Sequence, residues 1–233
     1  MIKNIYKKLL SEKKRNTIRE YLQRLLSPLY YGNNFRCNCC NKKFRKFLNK
    51  GNIPRNNAQC PFCFSLERTR VLDLYLEKEL NLYQSEGVKL LHFAPEYALF
   101  RKLKKNKNII YIDTDINPAY ATNVFDITNI PFPDNNFDYI ICSHVLGHVP
   151  DEHLAIKELV RVLKPNGIAI IMTLLSGKEK TFEDENIQSS EDKLKFYSEF
   201  DLCRLHGNDF SNRLEHGGFN VEEIDYRLFF SDE

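Results

Sequence analysis

"KLLHFAPEYALF", Lys89 to Phe100, governs how the rest of the chain is read. It opens as a short apolar run, passes through a proline-containing turn, and continues as the start of a helix. Strand, tight turn and helix in that order begin an open parallel sheet, and the turn is where such a sheet receives a nucleotide-like ligand. Turns that cradle a pyrophosphate are rich in glycine, because backbone N–H groups must come close to the phosphates. This turn contains none. The expectation is a parallel sheet whose ligand is something other than a dinucleotide.

The downstream sequence extends that pattern. "VKLLHFA", "NIIYIDTDI", "TNVFDI", "FDYIICSHV" and "GIAIIMTLL" are strand candidates, several of them near-continuous apolar runs of the kind buried on both faces of a parallel sheet. "DEHLAIKELVRVL" is the clearest helix, with Asp151 and Glu152 in its first turn and "KPNG" as its stop. The alternation predicts a doubly wound α/β domain. Upstream, "ERTRVLDLYLEKEL" predicts a helix over about 67–80.

The 233 residues are 42% hydrophobic and 28% charged, enough for one ordinary domain plus a small attachment. A net charge of +3 does not by itself imply a nucleic-acid partner. Lysines stand where a signal peptide needs an apolar core, and no apolar run approaches the roughly 20 residues of a membrane span. Seven cysteines in such a chain point to a reducing cytoplasm, with thiols that bind metal rather than pair.

Cys37 and Cys40, then Cys60 and Cys63, form a C-x2-C-x19-C-x2-C pattern. That spacing fits a structural zinc site in which protein sulfur fills all four positions. Lys42, Lys43 and Arg45 favour the thiolate form. Cys39, separated from Cys37 by a single residue, fits poorly as a ligand, and Cys142 and Cys203 read as small apolar residues.

Residues 1–30 are basic: Lys3, Lys7, Lys8, Lys13, Lys14, Arg15, Arg19 and Arg24 face only Glu12 and Glu20. Ile18, Tyr21, Leu22, Leu25 and Leu26 recur at helical spacing, which predicts an amphipathic helix ending before Pro28. Such a stripe ordinarily packs on the body of its protein. A membrane-surface or RNA contact is the alternative.

In an open parallel sheet the residues just past each strand do the binding. Here those are His92, Ala94, Pro95 and Glu96; then Asp113 and Asp115; then Asp126; then Ser143, His144 and His148. A carboxylate at the end of the second strand can accept both hydroxyls of a ribose, and one a strand further can accept an adenine amino group. An adenosine without phosphates and with a methyl sulfonium, S-adenosylmethionine, suits this pair.

From about Lys89 to Val221 the chain resembles the class I S-adenosylmethionine-dependent methyltransferases, most closely the type 11 group. "DITNIPFPDNNFDYIICSHVLGHVPDEHLAIKELVRVLKPNG", Asp126 to Gly167, carries most of the resemblance. The front half resembles a bacterial subgroup with a cysteine-rich segment and an "HFAPE" turn in place of the glycines. The resemblance implies a mostly parallel Rossmann-like sheet over 67–233, behind a zinc-binding module at 35–66 and the basic helix at 1–30. It implies that Asp115 holds the ribose, and that Asp126 and the Ile127 backbone hold the adenine. His92, Ala94 and Glu96 would line the methionine end, with Ser143 and His144 toward the sulfonium. The implied acceptor is a small molecule or a glycan, methylated on oxygen or nitrogen during surface polysaccharide or glycan biosynthesis.

His148, Asp201 and Arg204 are the catalytic candidates, and Glu183 and Asp184 follow the fifth strand, where substrate-covering loops sit in this fold. The chain departs from the group's pattern in two places. Gly147 stands where "VLEH" has an acid, and Leu202 stands where "DHVR" has a histidine; His206 lies four residues on. "GFNVEEIDYRLFF" supplies a sixth strand in this reading and a seventh is missing, which leaves an edge that another segment or an oligomeric partner can fill. Two other functions stay open: an RNA methyltransferase gripping phosphates through the zinc module and basic terminus, and a non-catalytic protein that keeps the fold for binding.

Overall fold

The computed structural model describes residues 10–51 and 54–229. Lys3, Lys7 and Lys8 of the basic segment, and the closing "SDE", lie outside the described residues. The chain divides into two compact units: residues 1–86, 95–109 and 226–233 form the first, and residues 87–94 and 110–225 the second.

The first unit is built on two small antiparallel hairpins. β1 (Tyr31–Arg36) pairs with β2 (Lys43–Phe44), and β3 (Leu48–Lys50) with β4 (Arg55–Gln59). Its core contains Cys37, Phe44, Phe47, Cys60, Cys63 and Ala98. Among the described residues three α-helices accompany them: α1 (Glu12–Leu26), α2 (Glu67–Lys78) and α3 (Tyr97–Lys105). Asp73 of α2 is fully buried and accepts hydrogen bonds from Lys102 Nζ at 2.8 Å, Asn38 Nδ2 at 2.9 Å and the Tyr83 hydroxyl.

α1 forms where the periodicity predicts, with the Ser11 side chain accepting from the Lys14 N–H. Its packing is the reverse of the usual arrangement. No residue of α1 is buried. The polar side meets the protein, through Gln23 and Arg24, and the leucines face outward.

The second unit holds a four-stranded, all-parallel sheet in the order β6-β5-β7-β8, the doubly wound Rossmann-like arrangement. The strands are β5 (Lys89–Phe93), β6 (Ile110–Thr114), β7 (Phe137–Ser143) and β8 (Leu163–Met172). The chain steps from β5 to β6 on one side and then returns across β5 to β7, so the strand order reverses beside β5. α4 (Glu152–Val162) links β7 to β8. Asp151 caps it by accepting from the Leu154 N–H at 2.9 Å, and Ala155, Ile156, Leu159 and Val162 are buried at helical spacing. α5 (Ser190–Tyr197) and α6 (Phe210–His216) follow. The core joins Leu91, Phe93, Ile140 and Cys142 of the sheet to the buried face of α4 and to Phe210 and Leu214 of α6. At the amino ends of the strands Asp138 ties three together, accepting from the Lys89 N–H at 2.9 Å and from Lys164 Nζ at 2.8 Å. Burial pushes the Asp138 carboxyl up, but these donors outweigh it and hold it below the usual carboxylate range.

Two expected strands are not formed. "TNVFDI" makes a single parallel bridge, Thr114 to Asn123, and no more. The Asp113 carboxylate takes the Thr122 N–H, Phe125 turns into an edge-to-face contact with Phe93, and Asp126 starts a side-chain-capped turn. The backbone is thereby pulled off the ladder. "GFNVEEIDYRLFF" places Phe219 and Val221 against the core and then runs as irregular chain into a single 3-10 turn, Tyr226–Phe229. Beyond β8, Leu175 instead bridges to His206 and Phe182 to Leu205.

Candidate functional site

Each C-x2-C pair in the first unit sits at the mouth of a turn closed in the same way. The Cys37 N–H donates to Lys42 O at 3.0 Å and Cys37 O accepts from Asn41 N–H at 2.7 Å. In the second turn the Cys60 N–H donates to Ser65 O at 2.9 Å and Cys60 O accepts from Phe64 N–H at 3.2 Å. Asn41 and Phe64 occupy matching left-handed positions, with φ of 58° and 66°. The two turns bring all four sulfurs within 4.8 Å of one another. Cys37 and Cys63 Sγ are 3.5 Å apart, Cys40 and Cys60 Sγ 3.8 Å. A tetrahedron of sulfurs about 2.3 Å from a zinc ion has edges of about 3.8 Å, so the donor set fits the ion. Cys39 stands outside the cluster, 3.9 Å from Thr69 O.

In the second unit the strand register lines up the residues read as ligand-binding. Phe93, Thr114 and Cys142 lie level across β5, β6 and β7, so Ala94, Asp115 and Ser143 follow as the next row at the carboxyl ends. Ala94 has φ of 45° and donates its N–H to Thr114 O at 2.9 Å, which fixes the turn. Asp115 lies just past β6 and accepts the Asn117 N–H at 2.7 Å. Asp113 is within the strand, buried, and bound to the Thr122 N–H. Asp126 is exposed and accepts from the Thr128 N–H and hydroxyl, both at 2.8 Å, while the next residue, Ile127, is buried. His144 also has positive φ, 56°, and its N–H bonds Met172 O, which turns the chain sharply after β7. His92 is inside β5, fully buried, with Nδ1 3.0 Å from the Tyr111 hydroxyl. Glu96 belongs to the first unit, where it is the N-cap residue of α3.

Of the catalytic candidates, His148 and Asp201 come together, with Nδ1 and Oδ1 3.4 Å apart; Glu199 approaches the other ring nitrogen at 3.9 Å. Arg204 goes elsewhere. It is buried and donates to the carbonyls of Leu146, Val149 and Pro150 and to Glu183 at 2.6–2.9 Å. It straps the segment after β7 in place.

Sequence reading missed the buried network beside it. His206 Nε2 lies 2.6 Å from Glu152 Oε1, and Nδ1 lies 2.6 Å from the Thr173 hydroxyl at the end of β8. Glu152 also accepts from Arg213. Arg213 reaches Glu183 at 3.1 Å, so Glu183 joins two arginines. Burial pushes the Glu152 carboxyl up, yet His206, Arg213 and Arg204 outweigh it and hold it below the ordinary value; Glu183 is held down in the same way by Arg204 and Arg213.

Gly147 and Leu202 are neighbours. A Cβ on Gly147 would meet Leu202 Cδ2 at 3.0 Å, and the Gly147 carbonyl accepts the Cys203 N–H at 2.8 Å. The two departures from the group's pattern are one packing change.

Residues 92–171 match the family described as a methyltransferase domain. The ubiquinone/menaquinone biosynthesis C-methyltransferase UbiE of Rickettsia bellii is 32% identical over 127 residues, 54% of this chain and 46% of that protein. The demethylmenaquinone methyltransferase of Staphylococcus haemolyticus is 47% identical over 47 residues, 20% of each chain. The chain thus spans about half or less of the length of the curated relatives it matches. Among solved structures, the [4+2]-cyclase SpnF is similar with a TM-score of 0.49 and 18% identity, over 68% of this chain and 61% of that one. Residues 92–171 are thus similar to methyltransferase domains. No helix among the described residues is long and apolar enough to cross a membrane.

Proposed function

We propose that this protein transfers a methyl group from S-adenosylmethionine to a small-molecule acceptor in a reducing cytoplasm, and that a structural zinc ion held by Cys37, Cys40, Cys60 and Cys63 organises its first unit. The observation that carries the reading is the row Asp115, Ala94 and Ser143 at the carboxyl ends of β6, β5 and β7, inside the segment that matches methyltransferase domains. When bound, S-adenosylmethionine supplies a methyl group on a positively charged sulfur that leaves readily. The chain's own residues supply placement. Asp115 accepts the ribose hydroxyls, while Asp126 and the Ile127 backbone hold the adenine edge. His92, Ala94, Ser143 and His144 are assigned to the methionine end. Placement of this kind contributes on the order of 7–11 kcal/mol in favourable cases.

His148 receives the acceptor's proton. Asp201, 3.4 Å from its ring, orients it and stabilises the imidazolium that forms. A base in this role contributes about a hundredfold or more. Arg204, already bonded to three carbonyls and Glu183, holds the loop that carries His148.

The acceptor implied by the front half of the sequence is a sugar of glycan biosynthesis. A second reading, methylation of a ring carbon, is favoured by the similarity to C-methyltransferases of quinone biosynthesis. Calorimetry with S-adenosylmethionine on the zinc-loaded, full-length protein tests the core claim. Wild type binds, and Asp115→Ala loses about 1.5–3 kcal/mol of affinity, as expected for hydrogen bonds to a charged group. Absence of binding in wild type leaves a protein that keeps the fold without the reaction.

A further inference from the structure

The outward face of α1 is the feature of this molecule that its proposed chemistry does not use. Ile18, Tyr21, Leu22, Leu25 and Leu26 form one stripe at helical spacing, and Leu29 continues it past the helix end. They are between 38% and 67% exposed. The opposite, polar side is the one that packs. Gln23 Nε2 donates to Pro61 O at 3.1 Å and Cys60 O at 3.4 Å, next to the cysteine turn. The Arg24 guanidinium lies over the rings of Phe62 and Tyr97 at 5.3 and 5.2 Å, and Glu20 reaches the Tyr97 side chain. A helix that spends its polar side chains on its own protein and shows five large apolar ones to solvent, with a sixth just beyond its end, is built for a second, apolar phase.

The charges say which. Both acids of α1, Glu12 and Glu20, lie on the partly covered side, whereas Lys13, Lys14 and Arg19 are exposed and Arg15 is half-buried. A leucine stripe flanked by lysine and arginine matches the boundary layer of an anionic bilayer: apolar groups enter the acyl edge and the cations remain at the phosphates. A protein groove would take the stripe without needing the cations, and a nucleic acid would take the cations without the leucines.

We propose that α1 is an interfacial anchor that seats the first unit on an anionic phospholipid surface, apolar stripe downward. The proposal is independent of the methyl-transfer reading. The experiment is co-sedimentation of the full-length, zinc-loaded protein with phosphatidylcholine vesicles, with and without phosphatidylglycerol. Wild type is expected to pellet with the phosphatidylglycerol vesicles only, and to release as salt is raised. Leu22→Glu/Leu25→Glu changes only exposed side chains and is expected to lower the partition coefficient about tenfold or more. Lys14→Glu/Arg19→Glu is expected to do the same while leaving the circular dichroism spectrum intact.

Sedimentation velocity without vesicles is run alongside. Failure of wild type to pellet with anionic vesicles overturns the proposal, and so does undiminished pelleting of Leu22→Glu/Leu25→Glu. A wild-type dimer that this variant abolishes, with no vesicle binding, assigns the stripe to a second copy instead. RNA binding that survives the variant, again without vesicle binding, assigns the basic residues to nucleic acid.

Discussion

Ala94 has φ of 45°, in the region that L-residues other than glycine avoid. The conformation costs roughly 1–2 kcal/mol, and the hydrogen bond from its N–H to Thr114 O helps hold it. Ala94 is exposed, so a substitution there acts through the backbone rather than through packing. Ala94→Gly is expected to leave stability unchanged or raise it by about 1 kcal/mol, because relief of strain is partly offset by the looser unfolded chain. Ala94→Val, branched at Cβ, is expected to lower it by about 1–2 kcal/mol. Thermal melts of the two variants check both. The missing glycine was visible in the sequence; that the alanine adopts a glycine-like conformation was not, since residue type alone carries no dihedral angle. Gly147 and Leu202 teach the same lesson. As letters 55 positions apart they are two unrelated losses, and in space they touch. Gly147→Glu is expected to destabilise by about 1–3 kcal/mol through overpacking against Leu202. Adding Leu202→Ala is expected to recover part of that, and a double-mutant cycle by urea unfolding should give a coupling of about 0.5–3 kcal/mol.

At the scale of elements, apolar runs located the four strands that pair into the parallel sheet. β5, β6, β7 and β8 each contain a stretch read as a strand. "TNVFDI" has the composition of a strand but loses its ladder, because the Asp113 carboxylate and the Asp126 turn capture backbone N–H groups on either side. Local side-chain bonds of this kind compete with a sheet, and no hydropathy pattern reports them. The network joining Thr173, His206, Glu152, Arg213, Glu183 and Arg204 was illegible for a different reason. Its members come from the end of β8, the start of α4, α6 and two intervening loops, and nothing in their spacing brings them together. Glu152 is 3% exposed within this network, so removing its charge strands two arginines and a histidine. Glu152→Gln is expected to cost about 3–5 kcal/mol at neutral pH. The pH dependence follows from the sign of the shifts. The folded carboxyls of Glu152 and Glu183 sit below their unfolded value of about 4.3, so their contribution is complete above that pH and disappears as pH falls through the folded values. Urea unfolding as a function of pH should show wild-type stability falling below about pH 4.3, with a shallower slope in Glu152→Gln.

At the scale of the whole molecule, the two units rest on different physics. The second buries aliphatic side chains between a parallel sheet and its helices, so its stability comes from apolar burial. Around the hairpins of the first, three of the four clustered cysteines are among the six buried residues of one packed cluster, and its strands are two to six residues long. Hairpins this short are marginal in water without a further tie. Their turns close on Cys37 and Cys60 by matching backbone bonds, so an ion at the four sulfurs would fasten both hairpins at once. Binding energy at a structural zinc site is folding energy. Chelation should therefore unfold the first unit while the sheet unit keeps its own core. Phenanthroline titration followed by zinc release and by the far-ultraviolet signal is expected to show one ion per chain and a loss of structure that zinc restores. Cys60→Ser should release the ion, whereas Cys39→Ser, outside the cluster, should keep full stoichiometry and the wild-type melting profile. Equal zinc loss from both variants would place Cys39 in the centre. A chain that binds no zinc and resists chelation would mean that the hairpins hold by packing alone.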